Sequence, residues 1–274
     1  MSIAIDLEGR VILVCGAAPG GISGATVRRA ALAGATVVAV DNTQAFLDQS
    51  IAEVEAAGGR CHGVLADLTN LADTDPLIET VVSRFGRLDG VANVAGGTTA
   101  EEWLPLEATS TESFRKTLGL NLEYVFRICR DAAASMIKRD VAGSLVNVGS
   151  VSALTSAPFH GPYGAAKSGI AALTRTMAYE WGKYGIRANT VQPGAVMSQR
   201  LLSRANTTAA GGRAGGSSDI VVTSIDEVAN TIVFLLSDLA SGVSGQTISV
   251  DSALSTKFCG GARPFEINKR NPVV

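Results

Sequence analysis

The 274-residue sequence predicts one α/β domain, doubly wound around a mainly parallel sheet of seven strands. Three observations carry that expectation. Short Val- and Ile-rich runs alternate with helical stretches of ten or more residues, a pattern that requires crossover connections and hence parallel strands. The runs are apolar at nearly every position, as in strands covered by helices on both faces. The alternation persists to about residue 251 without a break in composition, so the length fits one large domain rather than two small ones.

In chain order, strands are expected at 10–15, 36–40, 62–66, 88–94, 144–148, 187–191 and 247–250. Helices are expected between them at 21–34, 43–57, 71–85, 108–139, 162–183 and 226–237. Two irregular additions interrupt or follow this series. Residues 199–222 contain NTTAAGGRAGGSSD, too rich in Gly and Ala to hold one conformation, and are expected to form a mobile substrate lid. The catalytic domain is placed at 1–253 and a C-terminal extension at 254–274.

Composition removes several function classes. Hydrophobic residues make up 46% and charged residues 18%, enough for a core and far from the disordered regime. The net charge of -2 and the lack of a basic run leave no source for nucleic-acid binding. Residues 1–10 carry Asp6 and Glu8 where a secretory leader would be basic and then apolar, and the uncharged stretch 141–166 is broken by Gly and Pro, so no membrane association is expected. Cys15, Cys61, Cys129 and Cys259 are far apart and form no CxxC pair; they read as reduced thiols of a cytoplasmic protein, with no metal site. Glycine is in excess, with 30 residues, and the excess gathers at strand ends.

The first such cluster, GAAPGGISGAT at 16–26, follows the first strand and opens a helix. A dinucleotide pyrophosphate needs this arrangement, because side chains must be absent where backbone N–H groups approach it and a helix N-terminus favours its charge. Gly16 would make the turn, with Gly20 and Gly21 at the close approach. The second strand ends in Asp41, whose carboxylate can accept hydrogen bonds from both ribose hydroxyls of NAD and would repel a 2'-phosphate. Asn42 offers no cation for NADP, so NAD is preferred; the alternative is that Asp41 merely caps the helix at 43.

A second constellation lies at Ser150, in NVGSVSA, and at Tyr163, which begins YGAAK. Positions i and i+4 share a helix face, so Lys167 can place its charge beside the Tyr163 phenol and favour phenolate. About 0.1 YxxxK matches would arise by chance in a chain of this composition, yet a second, Tyr179 with Lys183, also occurs. Sixteen residues put Tyr179 about 160° around the helix and about 24 Å along it. Tyr163 is therefore preferred, and Tyr179 is expected to be buried packing.

With these residues in place, the chain resembles the classical short-chain dehydrogenase/reductases over residues 7 to about 251. The resemblance rests on the glycine turn, Asp67, NVAG at 93–96, Asn121, Ser150, YGAAK, PGAVMS at 193–198 and ISVD at 248–251. It implies a Rossmann-like fold in which Tyr163 moves a proton at the substrate oxygen, Ser150 hydrogen-bonds that oxygen, and Lys167 grips the nicotinamide ribose. It further implies that Asn121 holds a water in a proton relay, Asp67 and Leu68 flank the adenine, and Asn93, Ala95 and Gly96 line the cofactor ribose. Pro193, Gly194, Val196 and Ser198 would sit by the nicotinamide, and Ile22 and Ser23 belong to the phosphate turn. Ser23 replaces the usual third glycine in a loop one residue longer than common; its hydroxyl could itself bond a phosphate.

The expected activity is hydride transfer between NAD and an apolar, possibly cyclic or steroid-like, secondary alcohol or its ketone. A 3-oxoacyl thioester is the alternative substrate, suggested by Arg200, Arg204 and Arg213 in the lid. An NAD-binding sensor or scaffold is the alternative of another class, opposed by the intact Ser150, Tyr163 and Lys167 set. A homotetramer built on the two long helices is implied by the resemblance. His160 could touch substrate, but a lone histidine in a loop is more often solvent-facing, and that is the expectation here.

Overall fold

A computed structural model describes residues 4–196 and 222–256. The expected lid up to 221, Ser198, the three lid arginines, Cys259 and the extension from 257 lie outside the described residues.

The strands are β1 (Val11–Cys15), β2 (Thr36–Asp41), β3 (Arg60–Leu65), β4 (Gly90–Asn93), β5 (Gly143–Val148), β6 (Ile186–Pro193) and β7 (Thr247–Val250). They form one sheet in the order β3-β2-β1-β4-β5-β6-β7, with every pairing parallel. The helices are α1 (Ile22–Leu32), α2 (Gln44–Ala56), α3 (Leu71–Thr74), α4 (Leu77–Phe85), α5 (Thr111–Leu118), α6 (Tyr124–Lys138), α7 (Gly161–Trp181) and, as α8, Ile225–Leu236.

Period-two alternation divides the core between the two sheet faces. Along β1, Val11, Leu13 and Cys15 pack with Tyr124, Ile128 and Met136 of α6 and Ile170 and Met177 of α7. Ile12 and Val14 point the other way, into Val27 and Ala30 of α1, Leu47 of α2 and Val228 and Ile232 of α8. Such strands can be apolar throughout because neither face meets water. The chain reverses its winding between β1 and β4, and the loops leaving their carboxyl ends part there into a crevice, the position at which open α/β sheets hold ligands.

Two expected helices are interrupted. The stretch 71–85 is split into α3 and α4 around Pro76, which lacks the N–H needed to continue a helix and clashes with the preceding turn. The long helix expected over 108–139 contains a π-helical turn, Gly119–Glu123, between α5 and α6. That turn carries Asn121 at its centre, in keeping with the tendency of π-bulges to occur at functional positions. At the start of α8, Ser224 and Glu227 form a reciprocal capping box that fixes where the chain re-enters helix.

Candidate active site

The crevice consists of two clefts that share a wall. The first, about 460 Å³, is lined by Gly16, Gly21, Ile22, Ser23, Asp41, Asp67, Leu68 and Ala95 among others. The second, about 330 Å³, is lined by Ser150, His160, Tyr163, Lys167, Pro193 and Gly194 with their neighbours. Ile22, Val94, Gly96 and Val196 belong to both. One elongated molecule can therefore pass from one cleft to the other across Gly96.

In the first cleft the backbone holds the polar groups. Gly16 has a φ of +105°, and a Cβ there would lie 3.1 Å from the Ser23 Cβ and 3.2 Å from the Ala95 nitrogen. No side chain caps the N-terminus of α1 and its first turn holds no acidic residue; the Gly21 and Gly24 amides donate to Ala18 O, which leaves those of Ile22 and Ser23 to meet an anion. Asp41 is fixed at both oxygens: Ala17 N donates to Oδ2 at 2.8 Å and Thr43 N donates to Oδ1 at 3.1 Å. Thr43, not Asp41, is the N-cap of α2. Asp67 Oδ1 accepts from the Thr69 amide and hydroxyl, which tightens the wall beside Leu68.

The second cleft is assembled from side chains of separate segments. Ser150 Oγ accepts from Ser152 N at 3.1 Å, leaving its own proton to be donated elsewhere. Lys167 is 2% exposed; its Nζ donates to Val148 O at 2.8 Å and lies 5.6 Å from the centre of the Tyr163 ring. Burial pulls the Lys167 ammonium down to about 7. The field it lends Tyr163 therefore weakens as pH rises through a range well below that of an ordinary lysine.

Asn121 is fully buried and grips one residue by both its backbone groups: Gly97 N donates to Oδ1 at 2.8 Å and Nδ2 donates to Gly97 O at 2.9 Å. Nδ2 also donates to Thr117 O. A Cβ on Gly96, whose φ is +144°, would lie 2.7 Å from Asn121 Oδ1 and 3.3 Å from Lys167 Nζ. Asn121, Gly96 and Lys167 therefore form one packed unit at the junction of the clefts.

Several expected positions fall elsewhere. Asn93 lies behind the wall: its Nδ2 donates to Asn147 Oδ1 at 2.8 Å in the interior, and the adjoining Val94, Ala95 and Gly96 line the clefts instead. Gly20 borders a separate depression beside Arg28 and Ala57. Tyr179 is 90% exposed and is not packing. Nine residues separate it from buried Ile170, which turns it 180° away from the core face of α7. His160 is not a plain surface residue; it lines the second cleft and stacks on Trp103 with ring centres 4.3 Å apart. Trp103 has no motif around it, and nothing local in sequence could have paired it with a residue 57 positions later.

The geometry can be set beside known proteins. A family model described as enoyl-(acyl carrier protein) reductase matches residues 16–255. The chain belongs to the short-chain dehydrogenase/reductase family. It is 36% identical over 247 residues to a hydroxy-methyl-oxo-hexahydroindene-carboxyl-CoA reductase of Mycobacterium tuberculosis, spanning 89% of this chain and 92% of that one. It is 35% identical to 2,5-dichloro-2,5-cyclohexadiene-1,4-diol dehydrogenase of Sphingobium indicum, with 91% and 98% covered. A solved 7α-hydroxysteroid dehydrogenase, complexed with NADH and a 7-oxo bile acid, superposes with a TM-score of 0.79 at 26% identity, with 90% and 94% covered. This short-chain dehydrogenase/reductase is an NAD(P)-dependent oxidoreductase of CH–OH groups, and among its described residues no helix is long and apolar enough to cross a membrane.

Proposed function

We propose that this enzyme oxidises an apolar cyclic secondary alcohol, or reduces its ketone, with NAD as the preferred cofactor. The observation that carries the reading is the continuity of the two clefts: the one lined by Asp41, whose carboxylate can accept from two adjacent ribose hydroxyls, shares a wall with the one lined by Ser150, Tyr163 and Lys167. The residues present suit a dinucleotide, since a Cβ would fill the cradle at Gly16 and the α1 amides and Asp41 oxygens are already oriented. Bound there, the nicotinamide supplies the hydride acceptor, so that R₂CHOH and NAD⁺ give R₂C=O, NADH and a proton.

The chain's own groups handle the oxygen and its proton. Tyr163 takes the hydroxyl proton as the carbonyl forms, and returns it in the reverse direction. Ser150 donates a hydrogen bond to the same oxygen, its acceptor side being occupied by Ser152 N. Lys167 would hold the ribose of the nicotinamide and biases Tyr163 towards phenolate when charged, while Asn121 fixes Gly97 and would hold a water behind Lys167. Ile22, Ser23, Asp67, Leu68, Ala95, Gly96, Pro193, Gly194 and Val196 would contact the cofactor.

Ring substrates fit the wall formed by Val94, Trp103, Val148, Pro193 and Val196, which is apolar around the reacting groups. They also agree with the ring alcohols and ketones named for the three similar proteins. We further propose that 1–253 acts as one catalytic unit, that the buried free thiols Cys15, Cys61 and Cys129 suit a cytoplasmic setting, and that subunits assemble as a homotetramer through α5–α6 and α7. Exposed Phe114, Phe126 and Tyr179 on those helices suit that assembly, and light scattering tests it; a monomer would refute it. The catalytic reading is tested by following NADH formation across cyclic alcohols, hydroxysteroids and 3-hydroxyacyl thioesters with NAD and with NADP. Preference for thioesters, or for NADP, would overturn it.

A further inference from the structure

His160 stands out on the wall of the second cleft because several contacts fix it in place. Its Nδ1 lies 2.8 Å from Pro158 O, and since a carbonyl can only accept, Nδ1 must carry the proton. The neutral imidazole then has its lone pair on Nε2. The Ser152 hydroxyl donates to that atom at 3.5 Å, the outer limit of a hydrogen bond, so a substrate hydroxyl at normal distance would replace it there. Trp103 stacks on the imidazole at 4.3 Å with 20° between the planes, and is itself held by a 2.8 Å bond from Nε1 to Thr98 Oγ1.

The backbone before His160 is strained to put it there. His160 N donates to Ala157 O at 3.2 Å, closing a turn with Pro158 and Phe159 at its centre. Phe159 has a φ of +64°, a conformation that turns of this kind normally give to Gly, and its ring remains 59% exposed. The strain therefore gains no burial for Phe159. It delivers His160, whose carbonyl also accepts from Tyr163 N and Gly164 N at the start of α7 and whose ring centre is 5.8 Å from that of Tyr163.

We infer that His160, braced by Trp103, selects cyclic substrates that carry a second hydroxyl, accepting a hydrogen bond at Nε2 from the hydroxyl that does not react. This rests on the reading of the site as a cyclic-alcohol dehydrogenase. A substrate whose reacting oxygen lies at Ser150 and Tyr163 reaches the imidazole with a polar group elsewhere on its ring. Trp103 fills the far face of the imidazole and keeps it from turning away. A monohydroxy ring leaves Nε2 without that bond and binds less well.

The test compares kcat/KM for cyclohexanol with that for cyclohexane-1,2-, 1,3- and 1,4-diols, using NAD and the full-length enzyme. The wild type should favour its best diol by about tenfold, the value of one hydrogen bond of this kind. His160→Asn retains an amide near Nδ1 but loses the acceptor at Nε2; it should lose that preference, kcat/KM for the best diol falling to that for cyclohexanol. His160→Gln, which carries an amide oxygen to the Nε2 position, should restore much of it. A parallel fall for both alcohols in His160→Asn, or an unchanged preference, would overturn the inference and make His160 a support for Tyr163 or a bystander. A wild type that oxidises none of these alcohols would instead overturn the cyclic-alcohol reading, and this inference with it.

Discussion

At the adenosine end of the crevice the backbone holds the polar groups in place, whereas at the substrate end side chains hold one another. Asp41 and Asp67 each accept from an amide two residues on, Asp41 also from Ala17 N in the glycine turn after β1, and Gly16 clears space beside Ala95. Ser150, His160, Tyr163, Lys167 and Trp103 come from three segments and meet through a stack, a buried amine and a turn. The first end is suited to a constant molecule, met mostly by backbone with Asp41 as its discriminating side chain. The second can change what it accepts by altering one or two residues, because its selectivity lies in contacts rather than in the chain's course.

If the two ends divide labour in this way, substitutions should separate binding from turnover. The largest effect is expected at the substrate end. Tyr163→Phe should lower kcat by about 10²- to 10⁴-fold, the usual range for a lost acid-base group, while NADH affinity by fluorescence titration stays within about threefold. A matching loss of NADH affinity would break the division.

The next effect concerns stability. Because burial lowers Lys167 to about 7, the unfolded chain binds more protons than the folded one between that pH and the ordinary lysine value of 10.5. The cost of the buried ammonium is therefore complete below about pH 7 and is relieved as pH rises towards 10.5. Lys167→Met should remove this dependence, so its stability advantage over wild type in urea melts, on the order of a few kcal/mol, should be greatest at or below neutral pH and vanish above about pH 10. An advantage independent of pH would show that Lys167 is not buried as an amine.

The junction should behave as neither end alone. Gly96→Ala would force a methyl onto Asn121 Oδ1 in a backbone region that L-residues avoid, costing about 1–3 kcal/mol of stability. Both NADH affinity and kcat should fall, measurable in the same titration and rate assays. The smallest effect belongs to the adenosine end: Asp41→Ala should weaken NAD by about tenfold relative to NADP while leaving kcat at saturating cofactor near its original value. Equal loss for both cofactors would remove Asp41 as the discriminating group.

The same division explains how much could be read from the chain. The sheet, its order of strands and helices, and the glycine turn were legible because apolar period and Gly placement are local signals. Tyr163 and Lys167 were legible because four residues on one helix determine their relation. Pro76 announced the break between α3 and α4, and its signal was outweighed by the apolar pattern around it. The π-turn at Asn121 left no local signal, since it depends on the Gly97 peptide reaching it across 24 residues. His160 was legible only as a loop residue that could touch substrate, and Trp103 was illegible for a related reason: neither has a motif, and their stack exists only once β4 and α7 are neighbours of the same crevice. Asn93 shows the reverse error, a residue at the right strand end whose side chain points inward.

The most direct test of the central claim, that one dinucleotide spans both ends, is a crystal structure of the enzyme soaked with NADH. The account predicts adenosine ribose hydroxyls on Asp41, pyrophosphate at the start of α1, and the nicotinamide between Gly194 and Tyr163. Density confined to one cleft, or a nicotinamide lying away from Tyr163, would contradict it.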